Sequence, residues 1–105
     1  MDAQSRIRQI IDGHPIVLFM KGTQQFPMCG FSARTVEALQ EAGARFETIN
    51  VLEDPEVRSS LPRISNWPTF PQLFINGELI GGCDITLELA AKGELASMVG
   101  DAQRG

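Results

Sequence analysis

The sequence predicts one small α/β domain over residues 1–105, with a mixed four-stranded sheet flanked by helices on both faces. Three observations carry this. Two strand-like runs, one ending at Met20 and one spanning Phe46–Val51, enclose an amphipathic stretch, which is the spacing of a right-handed βαβ unit with parallel strands. Asn76-Gly77 separates two short apolar runs, a turn pair suited to a β-hairpin. Apolar residues recur at helical spacing at both ends of the chain.

The elements follow in order. Asp2–Asp12 puts Ile7, Ile10 and Ile11 on one face of a first helix, with Gly13 as its stop. His14 precedes Pro15 and is biased to an extended conformation. Residues 15–20 are apolar without alternation, as in a strand buried on both faces. A polar loop from Lys21 leads to Cys29. A second helix over Gly30–Ala42 carries Ala33, Val36 and Leu39, with Gly43 beyond its end. Phe46–Val51 alternates as a strand. Asp54-Pro55 starts a third helix with a capping oxygen and a proline at N1. Val57, Leu61 and Ile64 form its inner face, and Pro62 predicts a bend or end near that point. Asn66–Pro71 is irregular. Gln72–Ile75 and Glu78–Ile80 are the hairpin strands. Gly81-Gly82-Cys83-Asp84 opens a helix whose apolar face is Ile85, Leu89 and Ala90, up to Gly93. Glu94–Gln103 is a last helix on Leu95, Met98 and Val99. A parallel pair plus an antiparallel hairpin in one sheet between helices is the thioredoxin-like arrangement.

Composition narrows the function. Hydrophobic residues at 43% and charged residues at 21% suit a globular chain. The net charge of −4 and the lack of a basic patch argue against nucleic acid as a partner. No apolar run nears the roughly 20 residues that span a bilayer, so no membrane role is expected. The N-terminus lacks the basic and apolar regions of a signal peptide, which predicts a cytosolic location. Cys29 and Cys83, with the lone His14, do not supply the four ligands of a structural zinc site within one chain.

Cys29 is the chemical focus. It sits where the strand ending at Met20 hands over to the second helix. Unpaired amides and the positive dipole end at a helix start stabilise a thiolate, and such placement makes a cysteine reactive near neutral pH.

Cys29-Gly30-Phe31-Ser32, together with Lys21, Trp67-Pro68-Thr69-Phe70-Pro71 and Gly81-Gly82-Cys83-Asp84, resembles a monothiol glutaredoxin of the Cys-Gly-Phe-Ser class. The likeness runs from about Ile7 to Leu95 and is to the short, single-domain bacterial form. It implies that Cys29 binds one iron of a [2Fe-2S] cluster, with glutathione thiols as co-ligands. Two protomers then form a cluster-bridged homodimer, since such clusters take four ligands. It also implies that Lys21 and Arg58 pair with the glycyl carboxylate of glutathione. Phe70, before a cis Pro71, offers its backbone to the peptide. Cys83 and Asp84 offer helix-start N–H groups to the γ-glutamyl carboxylate, and Asp84 its own carboxylate to the ammonium.

Ser32 stands where dithiol glutaredoxins carry a second cysteine, which removes an intramolecular disulfide at that turn. The loop from Gly22 to Met28 is also longer than theirs. Both imply weak disulfide exchange. The leading reading is a carrier that delivers the cluster to acceptor proteins or senses iron status, alone or with a BolA-like protein. Two alternatives use the same thiol: a glutathione-dependent oxidoreductase working through a mixed disulfide at Cys29, and a redox sensor with Cys29 glutathionylated or paired with Cys83.

Overall fold

The computed structural model describes residues 2–105 and contains five α-helices and a four-stranded sheet. Helix α1 covers Ala3–Gly13, with the Asp2 carboxylate accepting from the Ser5 N–H at 2.8 Å. Gly13 is its last helical residue and does not turn left-handed; the stop is His14, extended at φ −139°. The proline that follows forbids helix at His14, so Pro15 ends α1, where Gly13 was the expected stop.

Strand β1, Ile16–Met20, is buried along its whole length. Helix α2, Gly30–Glu41, returns the chain to β2, Glu47–Asn50, which pairs parallel to β1 with Leu18 opposite Thr48. The buried face of α2 is Ser32, Thr35, Val36, Ala38 and Leu39, more polar than the sequence suggests. A short 3-10 helix, Val51–Glu53, follows β2.

Helix α3, Pro55–Ser65, is capped by Asp54 and runs on three residues beyond Pro62. Pro62 removes only the one bond that its N–H would have given the Arg58 carbonyl. The apolar face of Val57, Leu61 and Ile64 still needs cover, and α3 ends at Asn66, which adopts φ 56°.

Strands β3, Gln72–Ile75, and β4, Glu78–Gly81, form the hairpin. Both turn residues have positive φ, Asn76 at 52° and Gly77 at 80°, as a type I′ turn requires. Helix α4 covers Cys83–Ala91 and α5 covers Glu94–Arg104. On α4 it is Leu87 and Leu89 that pack on the core; Ala90 is exposed, and buried Thr86 donates its hydroxyl to the Gly82 carbonyl at 2.8 Å.

The strand order is β2-β1-β3-β4, with β3 antiparallel to β1. Side chains alternate across a strand, so β1 feeds two cores. Ile16, Leu18 and Met20 join Leu73, Val36, Leu39, Leu95 and Val99 beneath α2 and α5. Val17 and Phe19 join Phe74, Ile7, Ile11, Val57 and Leu61 beneath α1 and α3. This is the thioredoxin-like sheet between helix layers. Among the described residues no helix is long and apolar enough to cross a membrane.

Candidate functional site

The loop after β1 is held shut by its own backbone. The Lys21 N–H donates to Ser32 Oγ at 3.2 Å, and its carbonyl accepts from Met28 at 2.8 Å. Thr23 and Phe26 exchange two bonds: Thr23 N–H donates to the Phe26 carbonyl at 3.2 Å, and Phe26 N–H to Thr23 Oγ1 at 3.0 Å. Gly22, at φ 97°, passes so close to the returning chain that a Cβ there would lie 2.5 Å from the Phe26 carbonyl oxygen. From outside the loop, Asn50 Oδ1 accepts from the N–H of Gly22 at 2.9 Å and of Leu52 at 3.0 Å. Asn50 thus ties the loop to the end of β2.

The loop delivers Cys29 to the N-cap of α2, half-buried. Its thiol is held below the ordinary cysteine range. The largest cause is the Ser32 backbone N–H; partial burial opposes it, and the Phe31 N–H, the Ser32 hydroxyl and the Lys21 charge add to the lowering. The sulfur completes no capping bond, so these donors act on it chiefly as a local field at the helix start. Ser32 itself is fully buried. It therefore serves both the loop and the thiol, a coupling that position 32 alone did not reveal.

Cys29 opens onto a cleft of about 730 Å³. All six residues singled out from the sequence, Lys21, Cys29, Arg58, Phe70, Cys83 and Asp84, line it. Among the described residues neither Lys21 nor Arg58 is in an ion pair, so both cations are available to an anion. Cys83 is a buried thiol at the start of α4. Gly82 is the cap of α4, and Asp84 is exposed in its first turn. The Phe70–Pro71 bond is cis, as the resemblance implied.

Trp67–Pro71 supplies another part of the cleft lining. Trp67 lines the cleft, and a Cβ on Gly82 would lie 3.3 Å from its Nε1 and 3.2 Å from the Pro71 carbonyl oxygen. Gly82 is thus small because the chain itself presses on it. Sequence reasoning passed over Asn50 and Gln72. The Gln72 carboxamide donates to the carbonyls of Trp67 at 2.9 Å and Thr69 at 3.1 Å. The available signal was a polar residue heading an otherwise apolar strand; for Asn50 it was an amide at the end of β2. Phe31, at the cleft's edge, and Phe26 and Met28 beyond it expose 53%, 76% and 69% of their surface, an apolar rim on a charged molecule.

Among the described residues no three His, Cys, Asp or Glu side chains lie together as metal ligands. The chain alone thus offers a single accessible thiol donor beside a cationic cleft.

Comparison with known proteins agrees with this geometry. A family profile for glutaredoxin matches residues 16–80. Glutaredoxin 4 of Haemophilus ducreyi (strain 35000HP / ATCC 700724) is 52% identical over 99 residues, 94% of this chain and 92% of that protein. The solution structure of reduced poplar apo GrxS14 superposes with a TM-score of 0.83 at 46% identity, covering 97% of this chain and 94% of that one. A buckwheat glutaredoxin–glutathione complex superposes with a TM-score of 0.83 at 27% identity, covering 94% and 88%. The chain therefore belongs to the glutaredoxin family, as a monothiol member whose Cys-Gly-Phe-Ser motif carries one thiol.

Proposed function

We propose that this glutaredoxin binds glutathione in the cleft beside Cys29. We further propose that two copies share a [2Fe-2S] cluster ligated by their Cys29 thiolates and two glutathione thiols. The cluster is cargo, passed to acceptor proteins in iron–sulfur assembly and iron homeostasis, with a BolA-like protein able to replace one copy. The whole chain acts as one domain, in the cytoplasm.

The observation that carries this reading is the donor set. A cluster of this type takes four ligands, and the chain presents one half-exposed thiol with lowered pKa and a serine where a local partner would stand. The remaining thiols must come from outside. A cleft of about 730 Å³ with two available cations suits an anionic tripeptide and lies within the roughly 300–1,000 Å³ of small-molecule sites. The buckwheat structure, which contains glutathione, supports that choice of ligand.

In this reading Lys21 and Arg58 take the glycyl carboxylate. The Phe70 backbone pairs with the extended peptide. The Cys83 and Asp84 amides take the γ-glutamyl carboxylate, and the Asp84 side chain its ammonium. The apolar rim of Phe26, Met28 and Phe31 supports close approach of a second copy at the thiol.

The lowered Cys29 pKa also favours a second reading, removal of glutathione from protein mixed disulfides. Cys29 thiolate attacks the glutathione sulfur and the protein leaves as its thiolate. Free glutathione thiolate then attacks that sulfur, restoring Cys29 and releasing glutathione disulfide.

Anaerobic reconstitution with iron, sulfide and glutathione separates the two. The carrier reading expects a brown dimer that forms only with glutathione and is lost in Cys29→Ser. A colourless monomer that briskly reduces mixed disulfides would sink it in favour of the second.

A further inference from the structure

Gln72 is the only polar side chain in β3, and it is completely buried. Its two N–H bonds go to the Trp67 and Thr69 carbonyls. Two acceptors on the same side fix which end of the amide is nitrogen. Both carbonyls belong to the irregular segment Asn66–Pro71, which brings Trp67, Thr69 and Phe70 to the cleft. Prolines at 68 and 71 deprive that segment of two backbone donors. It therefore depends on a donor from elsewhere.

Meanwhile Gln72 Oε1 is buried with no partner among the described residues, as is Trp67 Nε1. Burying an amide with half its capacity unmet is unfavourable. A position that needed only volume would be better filled by leucine or methionine. The carboxamide is therefore present for the two bonds it makes.

We propose that Gln72 is the positioning residue of the cleft, holding the Asn66–Phe70 loop so that the Phe70 backbone and the Trp67 ring are preformed for ligand. Its effect on ligand affinity rests on the glutathione reading above; its hold on the loop does not.

The molecule has a built-in reporter, because Trp67 is its only tryptophan and it has no tyrosine. Gln72→Met keeps the volume and removes both donors. With the fold intact by circular dichroism, Trp67 emission should move to longer wavelength and acrylamide quenching should rise about twofold or more. Glutathione affinity by calorimetry should fall about tenfold, the scale expected when two buried carbonyls lose their donors. Unchanged emission and quenching in the folded variant overturn the proposal.

Should Gln72→Met fail to fold, the native protein decides by NMR. Slowly exchanging Gln72 carboxamide protons support the hold on the loop, and exchange at the free-amide rate overturns it. A native protein that binds no glutathione defeats the functional reading, while the Trp67 emission comparison still decides the role of Gln72.

Discussion

At Cys29 the decisive groups are backbone amides, and that sets what mutagenesis can achieve. The Ser32 and Phe31 N–H groups are fixed by the helix, so no substitution other than proline removes them. Ser32→Ala deletes the hydroxyl contribution together with the acceptor of the Lys21 N–H, and Lys21→Gln deletes the charge. Each should move the midpoint of the pH profile of iodoacetamide alkylation upward, while leaving it below that of free cysteine. A native midpoint at or above the free value would remove the helix-start field as the cause. Gly22 is less forgiving. Gly22→Ala meets the Phe26 carbonyl oxygen and strains a backbone at φ 97°. It should lower stability by about 1–3 kcal/mol in urea unfolding.

Which single residues were legible follows from the same physics. Cys29 could be read because strand, loop and helix patterns place it at a helix start, whereas Lys21 entered only through the family resemblance, a charge just after a strand being ordinarily solvated. Asn50 could not, since it bonds to backbone brought near only by folding: Gly22 lies 28 positions from it. Gln72 bonds carbonyls only three and five positions back, and its sole signal was an amide heading an otherwise apolar strand.

Among the elements, α3 shows how local signals compete. The Asp54-Pro55 start stands as read, while the helix continues three residues past Pro62 before it ends, because one missing hydrogen bond is outweighed by the burial of Val57, Leu61 and Ile64. The Asn76-Gly77 hairpin was legible from two residues, because few pairs adopt positive φ twice in succession. Left unread was the tie between α1 and α3, where both guanidinium ends of Arg6 reach Asp54, at 2.7 and 3.0 Å. No periodicity encodes a pair 48 positions apart.

Asp54 therefore has two duties, and substitutions separate them. Asp54→Ala removes cap and ion pair and should lower stability by about 1 kcal/mol or more, a Tm shift of about 4–8 °C for a domain of this size. Asp54→Asn keeps the cap. The Arg6 contact holds the Asp54 carboxyl below its ordinary value, against the opposing effect of partial burial. The stability from that pair is thus present above the unfolded carboxylate pKa and lost as pH falls through the lower folded value. The gap between native protein and Asp54→Asn should be present at neutral pH and close as pH drops below about 4 in denaturant titrations. A gap that stays constant across that range would assign the effect to packing.

For the molecule as a whole, the sheet separates two cores that meet only through its strands. Binary pattern revealed both layers, because five apolar residues in a row at β1 imply cover on either side. It did not reveal that the cleft straddles them. Lys21 follows β1 and Cys29 is the N-cap residue of α2 on one layer, while Arg58 lies on α3 of the other, and Asp84 on α4 completes the rim. A molecule seated there is a cross-brace between layers that are otherwise joined through the sheet. Because the unfolded chain has no such arrangement, binding and folding become one linked equilibrium. At a glutathione concentration 100 times Kd the native state should gain about 2.7 kcal/mol, or a Tm rise of about 10 °C or more in a thermal melt. Arg58→Ala should flatten that concentration dependence while leaving the ligand-free melt nearly unchanged, since Arg58 is exposed. On the glutathione reading proposed above, heat resistance in this protein becomes a readout of its glutathione supply.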